Sequence, residues 1–438
     1  MKKIYFLMSI ALAAFSLSSC NDYQSAAIGY EEVPTTPSET TAEHPKLESS
    51  WLLNEVINVG QHNANVFVYS DNLFNNLFAR TLGWNGGEVQ ASFMLPGKGL
   101  VFVVRGCYFG TVNASTRARV SGNEVRNGLL LLTENHGSLS EPSSEDLYSL
   151  NEYVQTTDPD AEGYYEGVPL LTHSSSTRHY WPGVAAAYDG KIQVQWVSYR
   201  STLGRRETAS IYSYSTHGKP GDAGYLQVAE QQDEKFSNLI AYDDCLWQDD
   251  DGHNYMYCAY QLTGVNGVLV ARSNTHDLMS EWEYCVVNTA GQAEWVSEIP
   301  TASATGASDE ALRSNRLQNN AACQHPQVFK KGEYYYLVGQ SYSNKLDVRI
   351  WRSKNPDGPF ENVKTLCVLP SLVNKFGNQA FNELTRVVVH PALSRSGEIV
   401  LSTAQTAPVN NDNYTYAGSA DFVRPYFFRV YNWEQLFK

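Results

Sequence analysis

What most limits the fold of this chain is a hairpin that comes five times. An apolar or aromatic stretch runs into a polar turn holding a glycine, and a strongly β-prone stretch leaves it. The copies read "EVQASFMLPGKGLVFVVRG", "GVAAAYDGKIQVQWVSY", "DDCLWQDDDGHNYMYCAY", "QHPQVFKKGEYYYLVGQS" and "VVVHPALSRSGEIVLSTAQ", spread from Glu88 to Gln405. The exit stretches alternate or are rich in β-branched and aromatic residues, as hairpin strands are. Further strand-like runs follow several copies: "GVLVARS" then "WEYCVV", and "DVRIWRS" then "FENVKTLCVL". Each unit therefore reads as a four-stranded antiparallel sheet. So small a sheet cannot bury its faces alone, and five in one chain point to radial packing. The expected fold is all-β, a five-bladed β-propeller, with "NVFVYS" or the closing "RPYFFRVYNW" completing a blade. Two stretches, about 134–180 and 288–322, lack the hairpin pattern and read as long loops.

The first twenty residues, "MKKIYFLMSIALAAFSLSSC", place two lysines before an apolar run and end in small residues and Cys20. That is the pattern of an export signal, too short for a stable membrane span. The ending "LSSC" resembles a bacterial lipobox, which implies that Cys20 carries the lipid. Residues 21–50 are rich in Pro, Thr, Ser and Glu and cannot bury enough apolar area to fold alone. The expected organisation is a signal over 1–20, a disordered tether over 21–50 and a propeller over 51–438. The expected location is the cell envelope, lipid-anchored at the outer membrane.

A net charge of -14 over 438 residues argues against a nucleic-acid partner, which needs a basic face. Aromatics make up 12%, with 28 tyrosines. Flat rings with polar tips suit strands, and they also suit stacking on a sugar. Beyond Cys20, the cysteines Cys107, Cys245, Cys258, Cys285, Cys323 and Cys367 form no C-x-x-C pair. They read as buried thiols, and no metal or cofactor set is visible, although a structural ion on a propeller axis is compatible with the fold.

The densest acidic run is "YDDCLWQDDDGHNYMYC". A calcium loop with its glycine at Gly252 would need carboxylates where Trp247 and Cys258 stand. Asp249, Asp250 and Asp251 before Gly252 instead read as a solvated tight turn. Asp243 and Asp244 sit at the other end of the entry strand. Asp243 lies nine residues before Gly252, Glu88 nine before Gly97, and Gln324 eight before Gly332. In a propeller those strand starts face one funnel on the axis. Glu88, Trp181, Asp243, Gln324 and His390 are expected to converge there from five blades. Trp84, Trp181 and Trp247 read either as stacking surfaces or as core, and His390 as axial or core. Arg424, before Pro425, reads either as a ligand clamp or as an ion-pair partner.

"YDDCLWQDDDGHNYMY" resembles the third-blade signature of glycoside hydrolase family 43, and "QHPQVFKKGEYYYLVG" its fourth-blade signature. "IWRSKNPDGPF" is similar to that family's outer hairpin. A closer resemblance, through "LGWNGGEV", "VVRGCYFG", "VVHPALS" and "FVRPYFF", is to exported propellers of the domain-of-unknown-function 4185 and 5005 type. It covers most of residues 75–432. The resemblance to family 43 implies a base in blade one, a tuning Asp in blade three and an acid in blade four. Glu88 and Asp243 stand at the first two places. Gln324, which has no proton to donate, stands at the third. His325 follows it, and a histidine can act as an acid, but the register points it elsewhere. Arg105 replaces an acidic or small residue. Cleavage of a glycosidic bond needs two carboxyl groups, about 6.5–9.5 Å apart for inversion. Three readings stay open: a furanosidase- or arabinanase-like hydrolase acting on a poly- or oligosaccharide, a glycan-binding relative without catalysis, and a protein-interaction propeller.

Overall fold

In the computed structural model the description covers residues 66–438 apart from 134–138, 140–141, 144–145, 156–163, 202–204, 219–224, 237–239, 241, 263–264, 288–289, 291, 299–322, 343–346, 370–383, 405–416 and 422. Cys20, the tether and most of the 288–322 stretch lie outside the described residues.

The hairpins open five antiparallel sheets. Blade one is β2 (Leu82–Leu95), β3 (Gly99–Val112), β4 (Arg119–Thr133) and β5 (Leu147–Ser149). A ribbon, β6 (Glu152–Gln155) and β7 (Tyr164–Gly167), follows it. Blade two is β8 (Arg178–Tyr188), β9 (Lys191–Arg200), β10 (Arg205–Ser215) and β11 (Val228–Phe236). Blade three, β12 (Cys245–Gln248), β13 (Asn254–Leu262), β14 (Val265–Ser273), β15 (Trp282–Val287) and β16 (Ala293–Val296), has five strands rather than the expected four. Blade four is β17 (Gln324–Lys331), β18 (Tyr334–Gln340), β19 (Asp347–Ser353) and β20 (Glu361–Val368). Blade five takes β21 (Val388–Val389), β22 (Glu398–Thr403) and β23 (Tyr426–Tyr431) from one end of the chain and β1 (Phe67–Ser70) from the other. Both strands expected to complete a blade therefore complete the same one.

The ring closes through its inner strands: β2 touches β8, β8 touches β12, β12 touches β17, β17 touches β21, and β21 touches β2. The apolar faces that alternation assigns to each strand meet between blades, giving five wedge-shaped cores. Each fully buried large apolar side chain contributes about 1.5–3 kcal/mol, so the blades hold together by side-chain packing rather than by shared ladders.

The closure is also electrostatic. Asp71 caps the short helix α1 (Asn72–Leu77), its Oδ1 accepting from Phe74 N at 3.1 Å. Its Oδ2 accepts from Arg429 Nε at 2.6 Å, and the same guanidinium bonds Glu398. All three side chains are at most 2% exposed. The six cysteines of the propeller are free and buried.

The third-blade turn departs from the sequence expectation. Gly252 takes φ +90°, which only glycine adopts without strain, and its N–H bonds Asp249 O at 3.1 Å. Asp249 itself is not solvated. Its carboxylate accepts from Trp247 Nε1 at 3.1 Å and, across the blade boundary, from Tyr335 OH at 2.5 Å and Lys330 Nζ at 3.1 Å. It joins blade three to blade four.

Candidate functional site

The backbone carbonyls of Asp243 and Asp244 are held from other parts of the ring. Gln90 Nε2 of blade one donates to Asp243 O at 2.7 Å. Gln327 Nε2 of blade four donates to Asp244 O at 2.9 Å, and Arg386 Nη1, just before blade five, at 3.4 Å. The two carboxylates part company: Asp243 lines a cavity, and Asp244 bonds Ala259, Arg386 and His325.

Asp243 faces a cavity of about 300 Å³ lined by Arg105, Trp181, Pro182, Val197, Tyr199, Arg206 and Asp243. Arg206 Nη1 lies 3.3 Å from Asp243 Oδ1. On the blade-one wall, Glu88 and Arg105 stand opposite each other in the β2–β3 register, with Nε 2.8 Å from Oε2. The Arg105 guanidinium lies 4.9 Å from the centre of the Trp181 ring. Trp181 stacks on Tyr199 with centroids 5.0 Å apart and planes 20° apart. The result is a pocket with an aromatic wall and the Asp243 carboxylate, whose lining Arg105 is ion-paired to Glu88.

Asp244 turns toward blade four. Its Oδ2 accepts from Ala259 N at 2.6 Å, and its Oδ1 meets Arg386 Nη2 at 3.0 Å and His325 Nδ1 at 3.2 Å. Burial pushes the Asp244 carboxyl up, but Arg386, then His325 and Arg206, outweigh it and hold it well below the usual range. His325 is pushed down, first by burial and then by Arg386, against the pull of Asp244. At neutral pH the pair is thus a carboxylate orienting a neutral imidazole through Nδ1. That arrangement leaves Nε2 for proton transfer, and among the described residues Nε2 has no protein partner. Arg105, which lines the pocket, is near enough to bias the His325 titration.

The orientation of His325 corrects the register argument. The β17–β18 pairing slips between Gln324 and Gln327, and His325 takes φ +51° immediately before Pro326. A bulge re-aims a side chain, and here it turns the ring onto Asp244. Tyr242, just before Asp243, takes φ +50°. Each such residue costs on the order of 1–3 kcal/mol and persists only where its surroundings impose it. Both strained positions flank the Asp243–Asp244 peptide.

Arg105, Trp181 and Asp243 are therefore brought together in the pocket, with Glu88 ion-paired to Arg105, while Asp244 and His325 form a separate pair that does not line it. Gln324 is half-buried at the start of β17, opposite Gln340 in the ladder. The other expected residues stand elsewhere. His390 is fully buried between blades five and one, its nitrogens 2.7 Å from Ser92 Oγ and from Ser402 Oγ, and burial pushes its pKa down to about 3. Trp84 is fully buried in the same core, edge-on to Phe78 at 5.7 Å, so no face is open to a sugar. Trp247 packs between the cores on either side of blade four. It is bonded to Asp249 and roughly 13 Å along the strand from Asp243. Arg424 bonds Asp421 Oδ1 at 2.8 Å and Asn75 O at 3.1 Å and lies over Tyr426, which makes it a brace of the closing blade. Arg206, Arg386 and Tyr199 were not legible as site residues. Arg386, set in the apolar run "LTRVVVH", carried the one usable signal, a charge inside a buried strand pattern. Among the described residues no three His, Cys, Asp or Glu side chains converge as a metal site.

Fold and site together define a five-bladed propeller with a charged, aromatic-walled pocket on its axis. The profile of the family described as a domain of unknown function, DUF5005, matches residues 71–433, and the chain belongs to that family. A Bacteroides ovatus ATCC 8483 protein, provisionally described as a hydrolase, is 36% identical over 91% of this chain and 98% of its own, with a TM-score of 0.79. The GH43_1 enzyme of Xanthomonas citri complexed with xylotriose is 14% identical over 82% of this chain and 91% of its own, at TM-score 0.39. A Cellvibrio cellulosa α-L-arabinanase complexed with arabinohexaose is 14% identical over 78% and 91%, at 0.33. At these last two scores the likeness carries no argument about chemistry. No curated protein matches the sequence.

Proposed function

We propose that this chain is a lipid-anchored, carbohydrate-active propeller of the cell envelope that holds a poly- or oligosaccharide in its axial pocket and hydrolyses it. The observation that carries the reading is the stacked Trp181–Tyr199 wall meeting Arg105, Arg206 and the Asp243 carboxylate in one cavity, with Glu88 ion-paired to Arg105. The rings take the apolar face of a sugar, and the paired carboxylates and guanidiniums exchange hydrogen bonds with its hydroxyls. In the reaction the glycosidic C–O bond breaks, water supplies the new C–O bond, and the leaving oxygen gains a proton. His325, neutral and oriented by Asp244, takes on Nε2 the proton that the attacking water loses and passes it to the leaving oxygen. The provisional description of the Bacteroides ovatus relative as a hydrolase agrees with this reading. The sequence resemblance directs the first substrates tested to furanoside polysaccharides such as arabinan. Cys20 supplies the anchor at the outer membrane.

The test is a panel of plant and microbial polysaccharides offered to the purified propeller, with binding and new reducing ends both measured. Binding with reducing-end release supports hydrolysis, and a protein that binds none of them refutes the proposal. Binding without release supports a second reading, a glycan receptor. That reading is favoured by Gln324, which cannot donate a proton, and by the arginine partner of each site carboxylate.

A further inference from the structure

A second cavity, of about 790 Å³, opens between blades one and two, outside the axial pocket. Strand β8 runs past both. Arg178, His179 and Tyr180 line the outer cavity, and the next two residues, Trp181 and Pro182, line the axial one. His179 and Trp181 are two apart on one strand and so share a face. Their rings lie 5.2 Å apart, and both rest against Tyr199, at 5.4 Å and 5.0 Å. One aromatic row thus passes unbroken from the axial pocket into the outer cavity.

The far wall of that cavity is the stretch from Gly167 to His173, fixed by asparagine amides of β4. Asn123 exchanges two hydrogen bonds with the Gly167 backbone, at 2.8 Å and 2.9 Å. Asn127 does the same with Leu171, at 2.9 Å and 3.2 Å, and also donates to Tyr180 O at 3.0 Å. A Cβ on Gly167 would meet the Phe109 ring at 2.1 Å, so the wall sits tight on blade one. The charges here are already paired: Arg126 with Glu124 at 3.0 Å, and Arg178 with Glu207. His173 and His179 are held toward the neutral form, first by burial and then by Arg178 and Arg126 respectively.

We infer that the outer cavity is a distal subsite that receives further residues of a neutral, linear glycan threaded from the axial pocket along His179 and Trp181. The inference rests on the saccharide reading of the axial pocket. A wall of rings and amides without a spare cation suits hydroxyl-rich uncharged sugars and offers nothing to a uronate. Two residues of strand rise by roughly 6.6 Å, so successive rings of the row meet successive sugars of one chain.

Arabino-, xylo- and oligogalacturonide ladders of one to six residues, with the same ladder of any glycan bound in the panel, test this by calorimetric titration. A neutral ladder should gain about tenfold in affinity once it outgrows the axial pocket, the worth of one aromatic face. Val168 lines the outer cavity and is half exposed. Val168→Trp should fill the cavity and abolish that gain while leaving the shortest ligand's affinity unchanged, and His179→Ala should reduce the gain. Short ligands that bind with no gain on lengthening, or a gain that survives Val168→Trp, overturn the subsite and leave the axial reading standing. Tighter binding of the oligogalacturonides overturns the neutral class. A protein that binds no glycan of any length overturns the axial reading and the subsite together.

Discussion

Asp244→Asn removes one charge and almost no volume from the most buried ion pair of the site. Asp244 and Arg386 side chains are each 1% exposed, with Oδ1 and Nη2 3.0 Å apart. At an effective dielectric of about 20 the attraction across that distance is about 5 kcal/mol. Measured costs of removing one partner of a buried pair are about 3–5 kcal/mol, because the other charge stays in the protein without compensation. Among the described residues Arg386 would keep its 3.4 Å bond to the backbone carbonyl of residue 244 but no charged partner at that position. We take a loss of about 4 kcal/mol. With roughly 2.1 cal/mol/K of unfolding entropy per residue over roughly 370 residues, Tm should fall by roughly 5 °C. Thermal unfolding followed by circular dichroism at pH 7 reads this directly. The double variant Asp244→Asn/Arg386→Met removes both charges and should recover at least half of the loss. A single variant within 1 °C of wild type, or a double variant that loses the sum of the singles, would refute the assignment of this pair as the electrostatic centre of the ring.

Further outcomes follow from other contacts. Asp244 has a folded pKa below its unfolded value, and so have His325 and His390, so at acid pH the unfolded chain binds more protons. The stability linked to the histidines should be lost as pH drops below about 6.5, and that linked to Asp244 below about 4, seen as a falling Tm. If the protein cleaves glycans, His325→Ala should lower kcat by about 10²–10⁴-fold. The acidic limb of its rate profile should lie below the ordinary histidine range, since burial and then Arg386 depress that imidazole; a profile unmoved by the change excludes His325. If it only binds, Gln324→Glu should produce reducing ends where wild type produces none, and an inert variant counts against Gln324 as the vacant acid position. Cys20→Ser should shift the protein from the detergent phase to the aqueous phase on phase separation, and a wild type already aqueous would remove the anchor.

The blades were legible because strand alternation and Gly turns are local properties, written within a dozen residues. Glu88 and Asp243 were found by their distance from the turn glycine, which works where a first strand is regular. The register argument failed at His325, because a bulge is a change of register and leaves no composition mark beyond the proline that follows it. For His390 and Trp84, which read either as site or as core, the structure decides for core. Their strands pass the axis, but their side chains face the blade-to-blade core, and depth along a strand does not say which way a residue points. Asp249 looked like turn chemistry, and half of it is. Its carboxylate is claimed by Lys330 and Tyr335, about eighty positions later, a pairing that no local pattern announces.

The shared fifth blade sets an order on folding. Asp71 and Arg429 are 358 positions apart in the chain, yet they bond at 2.6 Å. The rim strand β1 has no neighbour to pair with until β23 exists. Blades one to four each draw their strands from one continuous stretch, but the fifth joins strands from opposite ends of the propeller sequence, and contacts of such sequence separation come late. Until then the cores on both sides of the gap stay open, and the protein is a sticky crescent rather than a wheel. Loss of β23 would therefore act as the loss of a keystone, exposing the flanks of blades four and one to aggregation.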